Sequence, residues 1–335
     1  HRDLHLSIRR QRQMCIRDSI NTRHSGPMTN MPKQRVLITG AAGYVAGRML
    51  STLRQRYDLK LLDVTSQNRD GDTVEGVETV DLINPDLSAY NHHFTDVDTV
   101  IHLGHKPHTR SPIDQYYEEK QNVEMAYNVF RASYDAGVRR VVAASSNHAA
   151  DWYEHALVHK RLKDIISPYE YPLSDNFYGW SKAAYENMGF VFACGFPSFE
   201  HPSGREILVE GLETGRKLEV IMVRIGHPRE LEPARYGNDP ATFKRVLGCY
   251  LSARDQTQLF VKSIEAAEIK NEYGIPFHIV YGISNNTRAF WSLANARQVL
   301  KYKPQDDSEV RFTSIINGFI VGETSPGGIG RVGLE

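Results

Sequence analysis

The chain has very little cysteine. Its 335 residues hold three, Cys15, Cys194 and Cys249. None belongs to a CxxC pair or a Cys/His cluster, so neither a disulfide framework nor a structural zinc is expected, and a reducing, cytoplasmic setting follows. Net charge is absent too. Forty Lys and Arg balance forty Asp and Glu, which removes any global attraction to nucleic acid or to an anionic membrane. No apolar run is long enough for a transmembrane helix. The first residues lack the apolar core of a secretory signal. The histidines show no recognisable ligand spacing, so no metal site is expected. No internal repeat or low-complexity tract interrupts the chain.

Charge bias is confined to the start, where Arg2, Arg9, Arg10, Arg12, Arg17 and Arg23 face only Asp3 and Asp18. Residues 1–32 are read as an extension, disordered or artefactual, with translation starting at Met28 or Met31. A regular pattern begins after it. Apolar runs at 35–39, 58–63, 77–80, 99–103, 139–144, 218–225 and 277–281 predict strands. Helical periodicity occupies 44–56, 115–136 and 179–193. The alternation predicts a Rossmann-like α/β fold, a doubly wound parallel sheet with helices on both faces. Residues 33–225 are expected to bind a dinucleotide. Residues 226–320 should form a small, mostly helical substrate part that returns one strand near 277–281, and 321–335 a flexible tail. The segments 149–177 and 196–216 fit the alternation poorly; they read either as substrate-side loops or as solvated connections.

The segment Thr39-Gly40-Ala41-Ala42-Gly43-Tyr44-Val45-Ala46-Gly47 lies between the first strand and the first helix. Glycines there let the chain turn sharply and let a pyrophosphate approach the helix N-terminus. Asp63 ends the next strand, where a carboxylate accepts hydrogen bonds from ribose hydroxyls and repels a 2′-phosphate. Val64, Thr65, Ser66 and Gln67 follow it without a basic residue. The expected cofactor is therefore NAD rather than NADP. Asp81, with Leu82, either borders the adenine or caps a helix.

These residues, together with Ile101-His102-Leu103-Gly104, Asn122-Val123, and Tyr178 with Lys182, resemble the extended short-chain dehydrogenase/reductases, the NAD-dependent epimerase/dehydratase superfamily. The resemblance spans residues 33–320. It departs from the family's Gly-x-x-Gly-x-x-Gly pattern at Ala46. It implies that Gly40, Ala42, Gly43, Tyr44, Val45, Asp63, Asp81, Leu82, Leu103, Gly104, Tyr178 and Lys182 hold NAD.

Tyr178 and Lys182 stand four apart, on one face of a predicted helix. A phenol near its ordinary pKa of about 10 is a poor base at neutral pH. A neighbouring ammonium and the positive nicotinamide would favour the phenolate. In the resemblance Tyr178 is the general base, Lys182 holds the nicotinamide ribose, and Ser146 rather than Ser145 bonds the reacting oxygen. Asn122 orients the Lys182 surroundings or is a buried structural amide.

Ser145-Ser146-Asn147-His148 and Val223-Arg224-Ile225-Gly226 are similar to uronate dehydrogenases, which oxidise the C1 hydroxyl of a sugar acid to an aldarolactone. Carried over, Ser146, Asn147 and His148 line the sugar and Arg224 clamps its carboxylate through a two-pronged contact. Two plainer roles stand beside these: an ion pair for Arg224 and a packed loop residue for His148. His105-Lys106-Pro107-His108 replaces those relatives' Gly-Val-Ser type segment, leaving Pro107 at a substrate-contact position. The connection from Ser146 to Tyr178 is also longer than theirs. A neutral or phosphorylated aldose is the alternative substrate. A nucleotide-sugar epimerase is the second enzymatic reading, though no Thr-Asp-Glu triad of a dehydratase is present. A non-enzymatic NAD-binding protein is the third, disfavoured by the intact Ser146, Tyr178 and Lys182. Homodimerisation through the helices near 115–136 and 179–193 is expected.

Overall fold

The computed structural model describes residues 33–195, 216–232 and 240–321. The N-terminal extension, most of segment 196–216 and the C-terminal tail beyond 321 lie outside the described residues.

Seven parallel strands form one sheet in the order β3-β2-β1-β4-β5-β6-β7. They are β1 (Arg35–Thr39), β2 (Asp58–Asp63), β3 (Val77–Thr79), β4 (Thr99–His102), β5 (Arg140–Ser146), β6 (Glu219–Ile225) and β7 (Phe277–Gly282). Each central strand is apolar on both faces because helices cover both. Val36 and Ile38 point into one core while Leu37, between them, points into the other.

Helices α3 (Gln115–Asp135) and α5 (Phe177–Cys194) supply the first cover, through Met125, Val129, Phe130, Tyr185 and Phe192. On the opposite face lie α2 (Leu50–Arg56), α7 (Ala253–Glu265) and α8 (Ala294–Leu300). Strand order reverses between β1 and β4, so a crevice opens beyond their carboxyl ends.

The helix expected over 44–56 is broken into α1 (Tyr44–Gly47) and α2. The cause is a side chain far away in sequence. Gln256 of α7 donates its amide to the Val45 carbonyl at 2.7 Å, the acceptor a continuous helix would offer Met49. Met49 N–H turns to Ala46 O instead, at 2.9 Å. Ala46, where the family pattern has glycine, is fully buried in the core beneath.

The C-terminal residues do two things. Strand β7, α7 and α8 join the sheet and its core, whereas α6 (Pro240–Cys249), α9 (Ser308–Arg311) and α10 (Thr313–Val321) lie around a small core of their own, with Leu231, Phe243, Val246, Leu247, Tyr250 and Phe312. Segment 149–177 is no free connection. It holds a short α4 (Asp151–Tyr153) and a wide turn over Glu154–Val158. Ile166 then pairs with Trp291, donating to Phe290 O at 2.8 Å and accepting from Ser292 N at 3.0 Å.

Candidate active site

Gly40 follows β1 with φ +71°, and a Cβ there would come within 2.6 Å of Gly104 N. Only glycine lets the β1 and β4 ends approach so closely. Asp63 ties the next strand to the same loop: its carboxylate accepts Ala42 N at 2.9 Å and Val64 N at 2.7 Å. The result is a groove of about 510 Å³. Gly40, Ala42, Gly43, Asp63, Asp81, Leu82, Leu103, Gly104 and Pro107 line it. Tyr44 and Val45 form the adjoining first turn of α1. Asp81 walls the groove and accepts Ile83 N at 2.9 Å, which closes a turn rather than capping a helix.

Sequence reasoning missed Gln67 and Arg69, which line the groove too. The loop after Asp63 folds back through a Gln67–Thr73 bridge. That brings a cation to the Asp63 end from six positions downstream. The Arg69 guanidinium lies 4.5 Å from the Tyr44 ring centre, and that of Arg229 lies 4.9 Å from it.

Helix α5, which carries Tyr178 and Lys182, starts at an Asn176 cap, whose side chain accepts Gly179 N at 2.9 Å. It stops at Gly195, with φ +77°. Gly179 sets its depth. A Cβ there would collide with the His148 carbonyl oxygen and the Ser174 hydroxyl. The missing side chain lets α5 lie directly on the turn Asn147–Ala150 that follows Ser146. Ser146 thereby comes close enough to Tyr178 for its hydroxyl to lower the phenol's pKa. Ser145 points elsewhere, donating to Glu186 at 2.8 Å.

Burial raises the Tyr178 phenol above its ordinary range, against the nearby Ser146 hydroxyl, which lowers it. The expected help from Lys182 is not present in the protein alone. Lys182 is buried, with its ammonium 5.6 Å from the Tyr178 ring centre and 4.3 Å from that of Tyr185. Burial pulls Lys182 itself down to about 8, while the Glu119 carboxylate resists. Glu119 was not foreseen. It is fully buried and accepts Ser181 Oγ at 2.6 Å and Asn122 Nδ2 at 3.3 Å.

Asn122 holds the loop after β4. Its amide accepts Lys106 N at 2.7 Å and donates to Lys106 O at 3.0 Å. This two-way grip carries His105 and His108 to Tyr178, at ring distances of 5.2 and 6.4 Å. Burial, and then the Lys182 charge, lower His105 to about 2, so it is a neutral imidazole.

His148 reaches Tyr178 from the other side, with ring centres 5.6 Å apart. Its Nδ1 is engaged by Asp151 at 2.7 Å, which fixes the ring and leaves Nε2 for another partner. Asn147 is buried beside Ser146, 3.4 Å from its hydroxyl.

Arg224 requires a correction. It is fully buried and its guanidinium is spent on Glu186, through Nε and Nη2 at 2.7 Å each, and on Tyr281 OH at 2.8 Å. Burial alone would lower its pKa, yet the Glu186 charge and hydrogen bonds raise it. A guanidinium so committed is a structural ion pair, not a carboxylate clamp.

The profile of the NAD-dependent epimerase/dehydratase family matches residues 36–193. A NAD-dependent glucose-6-phosphate dehydrogenase of Haloferax volcanii is 33% identical over 82% of this chain and 94% of its own. A uronate dehydrogenase of Pseudomonas syringae is 27% identical over 85% of this chain and 87% of its own. Among solved structures, a glucuronic acid dehydrogenase from Chromohalobacter salexigens superposes with a TM-score of 0.61 at 25% identity, covering 88% of this chain and 91% of that one. The chain belongs to the NAD-dependent epimerase/dehydratase family and is an oxidoreductase acting on CH–OH groups.

Proposed function

We propose that the chain oxidises the C1 hydroxyl of a cyclic sugar to a lactone, with a hexuronate as first candidate. The observation that carries this reading is the Tyr178 ring, next to Ser146 and flanked by the rings of His105 and His148 at 5.2 and 5.6 Å. Ser146 donates to the sugar oxygen and Tyr178 takes the hydroxyl proton as the C1–O bond becomes a carbonyl. NAD, held along Gly40, Gly43, Asp63 and Lys182, accepts the hydride when bound. Lys182 holds the nicotinamide ribose when NAD is bound, and its protonated form, with the positive nicotinamide, then favours the phenolate. His148, fixed by Asp151, bonds a ring hydroxyl through Nε2, and Asn147 and Pro107 complete the sugar wall.

A phosphorylated aldose is the second reading. Two observations favour it: the 33% identity to the Haloferax enzyme, and the commitment of Arg224 to Glu186. In both readings residues 33–225 bind NAD and 226–320 shape the sugar side.

The test follows NADH formation over glucuronate, galacturonate, glucose, arabinose and glucose 6-phosphate, with NADP in parallel and UDP-glucose as the epimerase control. Lactone formation from one free sugar supports the proposal. Turnover of the UDP-sugar without net NADH contradicts it.

We also infer a homodimer through α3 and α5. Tyr116 and Trp180 are each 39% exposed, with rings 5.5 Å apart, on neighbouring helices. An aromatic patch of this kind suits an interface. Light scattering at the mass of one chain would refute it.

A further inference from the structure

The connection from Ser146 to Tyr178 has an acid at each end. Asp151 opens α4, and Asp175 precedes the Asn176 cap of α5. His155 lies one turn beyond Asp151. One potential ligand atom from each of Asp151, His155 and Asp175 lies within 4.8 Å of the other two.

Asp151 is the unusual member. It is fully buried, and its Oδ2 takes His148 Nδ1 at 2.7 Å and Asn176 Nδ2 at 2.9 Å. Its Oδ1 is buried with no hydrogen-bond partner among the described residues. An unmatched oxygen on a buried carboxylate is costly and calls for a cation or a donor. The other two members open to solvent: the side chains of His155 and Asp175 are 43% and 45% exposed, with Nδ1 and Oδ2 2.8 Å apart. An ion can therefore enter from that side.

We propose that Asp151, His155 and Asp175 bind one divalent transition-metal ion of the zinc class. Zinc bonds of about 2.0–2.2 Å set neighbouring ligand atoms about 3.3 Å apart in a tetrahedron. The His155–Asp175 contact needs to widen by only about 0.5 Å to admit the ion. Two carboxylates balance its charge. Arg245, the nearby cation, is already paired with Glu154 at 2.5 and 3.1 Å. The imidazole selects a transition metal over calcium or magnesium, which prefer oxygen ligands alone.

A second trio, His105, His108 and Glu119, has the same compactness. It is the poorer site. Its one carboxylate also faces the Lys182 ammonium, and a single negative charge cannot balance both cations in a buried place. The ion at the Asp151 site fastens both ends of the connection together. Through Asp151 it also steadies His148, beside Tyr178.

The test is calorimetric titration of the metal-free, full-length protein with zinc chloride. Asp175→Asn and His155→Gln should each weaken the binding at this site by at least about tenfold, since even outer-sphere partners of metal ligands contribute that much. His108→Gln should leave it unchanged. Zinc should raise the thermal midpoint of the parent protein and not that of Asp175→Asn, while turnover without metal stays equal in both. The proposal fails if the parent protein binds no zinc in the micromolar range. It also fails if both variants keep the parent affinity, or if His108→Gln is the one that loses it.

Discussion

Arg224 and Glu186 meet in a fully buried, two-pronged ion pair that joins β6 to α5, the helix of Tyr178. Ser145 and Tyr281 complete its hydrogen bonds. Removing one member strands the other charge. Arg224→Ala and Glu186→Ala should each cost about 3–5 kcal/mol of stability, read by urea denaturation. The apolar pair Arg224→Met with Glu186→Leu should recover most of that loss. A stable Arg224→Ala protein with only a raised KM for a sugar acid would restore the clamp and overturn the structural role.

Gly179 is the second lever. Alanine there cannot fit between α5 and the turn after Ser146 without moving one of them. A shift of about 1 Å at the reacting groups costs on the order of 100-fold in rate, and overpacking costs about 1–3 kcal/mol. Gly179→Ala should thus lose kcat well beyond its loss of stability. Steady-state kinetics below the melting range separate the two. Unchanged kcat would show that the contact does not set the Ser146–Tyr178 distance.

Much of this was legible in sequence because it is local. The β1 apolar run, the Gly40 turn and the Tyr178/Lys182 spacing all lie within a few residues of one another. The features that escaped are long-range. Gln256 breaks the first helix from 211 positions away, and Glu186 claims Arg224 across 38. Glu119 looks like any helical surface acid until the fold buries it against Ser181, 62 positions on. Arg69 was missed for a smaller reason: scanning the residues directly after Asp63 assumes a straight chain, and the loop turns back.

Lys182 gives a pH signature. Its ammonium is held down to about 8, chiefly by burial. The unfolded chain keeps that proton to about 10.4. Between the two values the unfolded state binds more protons, so this group makes the fold more stable as pH rises. Below pH 8 both states are protonated and the full burial cost remains. Lys182→Met removes the titration. The stability of Lys182→Met relative to the parent should therefore fall steadily from pH 8 to 10 in urea denaturation. A difference flat across that window would contradict a buried, depressed Lys182.

Cofactor choice rests on opposed charges at one end of the groove. Asp63 disfavours a 2′-phosphate, and Arg69 is the cation that could meet one. Asp63→Asn should improve kcat/KM for NADP relative to NAD by about tenfold, the worth of one hydrogen-bonded charge contact of about 1.4 kcal/mol. Adding Arg69→Ala should cancel that gain. If Arg69→Ala has no effect in the Asp63→Asn background, Arg69 does not reach the ribose.

The central claim is direct hydride transfer from sugar C1 with Tyr178 as base. The most direct measurement uses the active sugar deuterated at C1 and follows the label by mass spectrometry. The account predicts deuterium in the reduced nicotinamide, a lactone product, and loss of both in Tyr178→Phe. Deuterium retained in the sugar, or a Tyr178→Phe protein that reduces NAD at the parent rate, would contradict it.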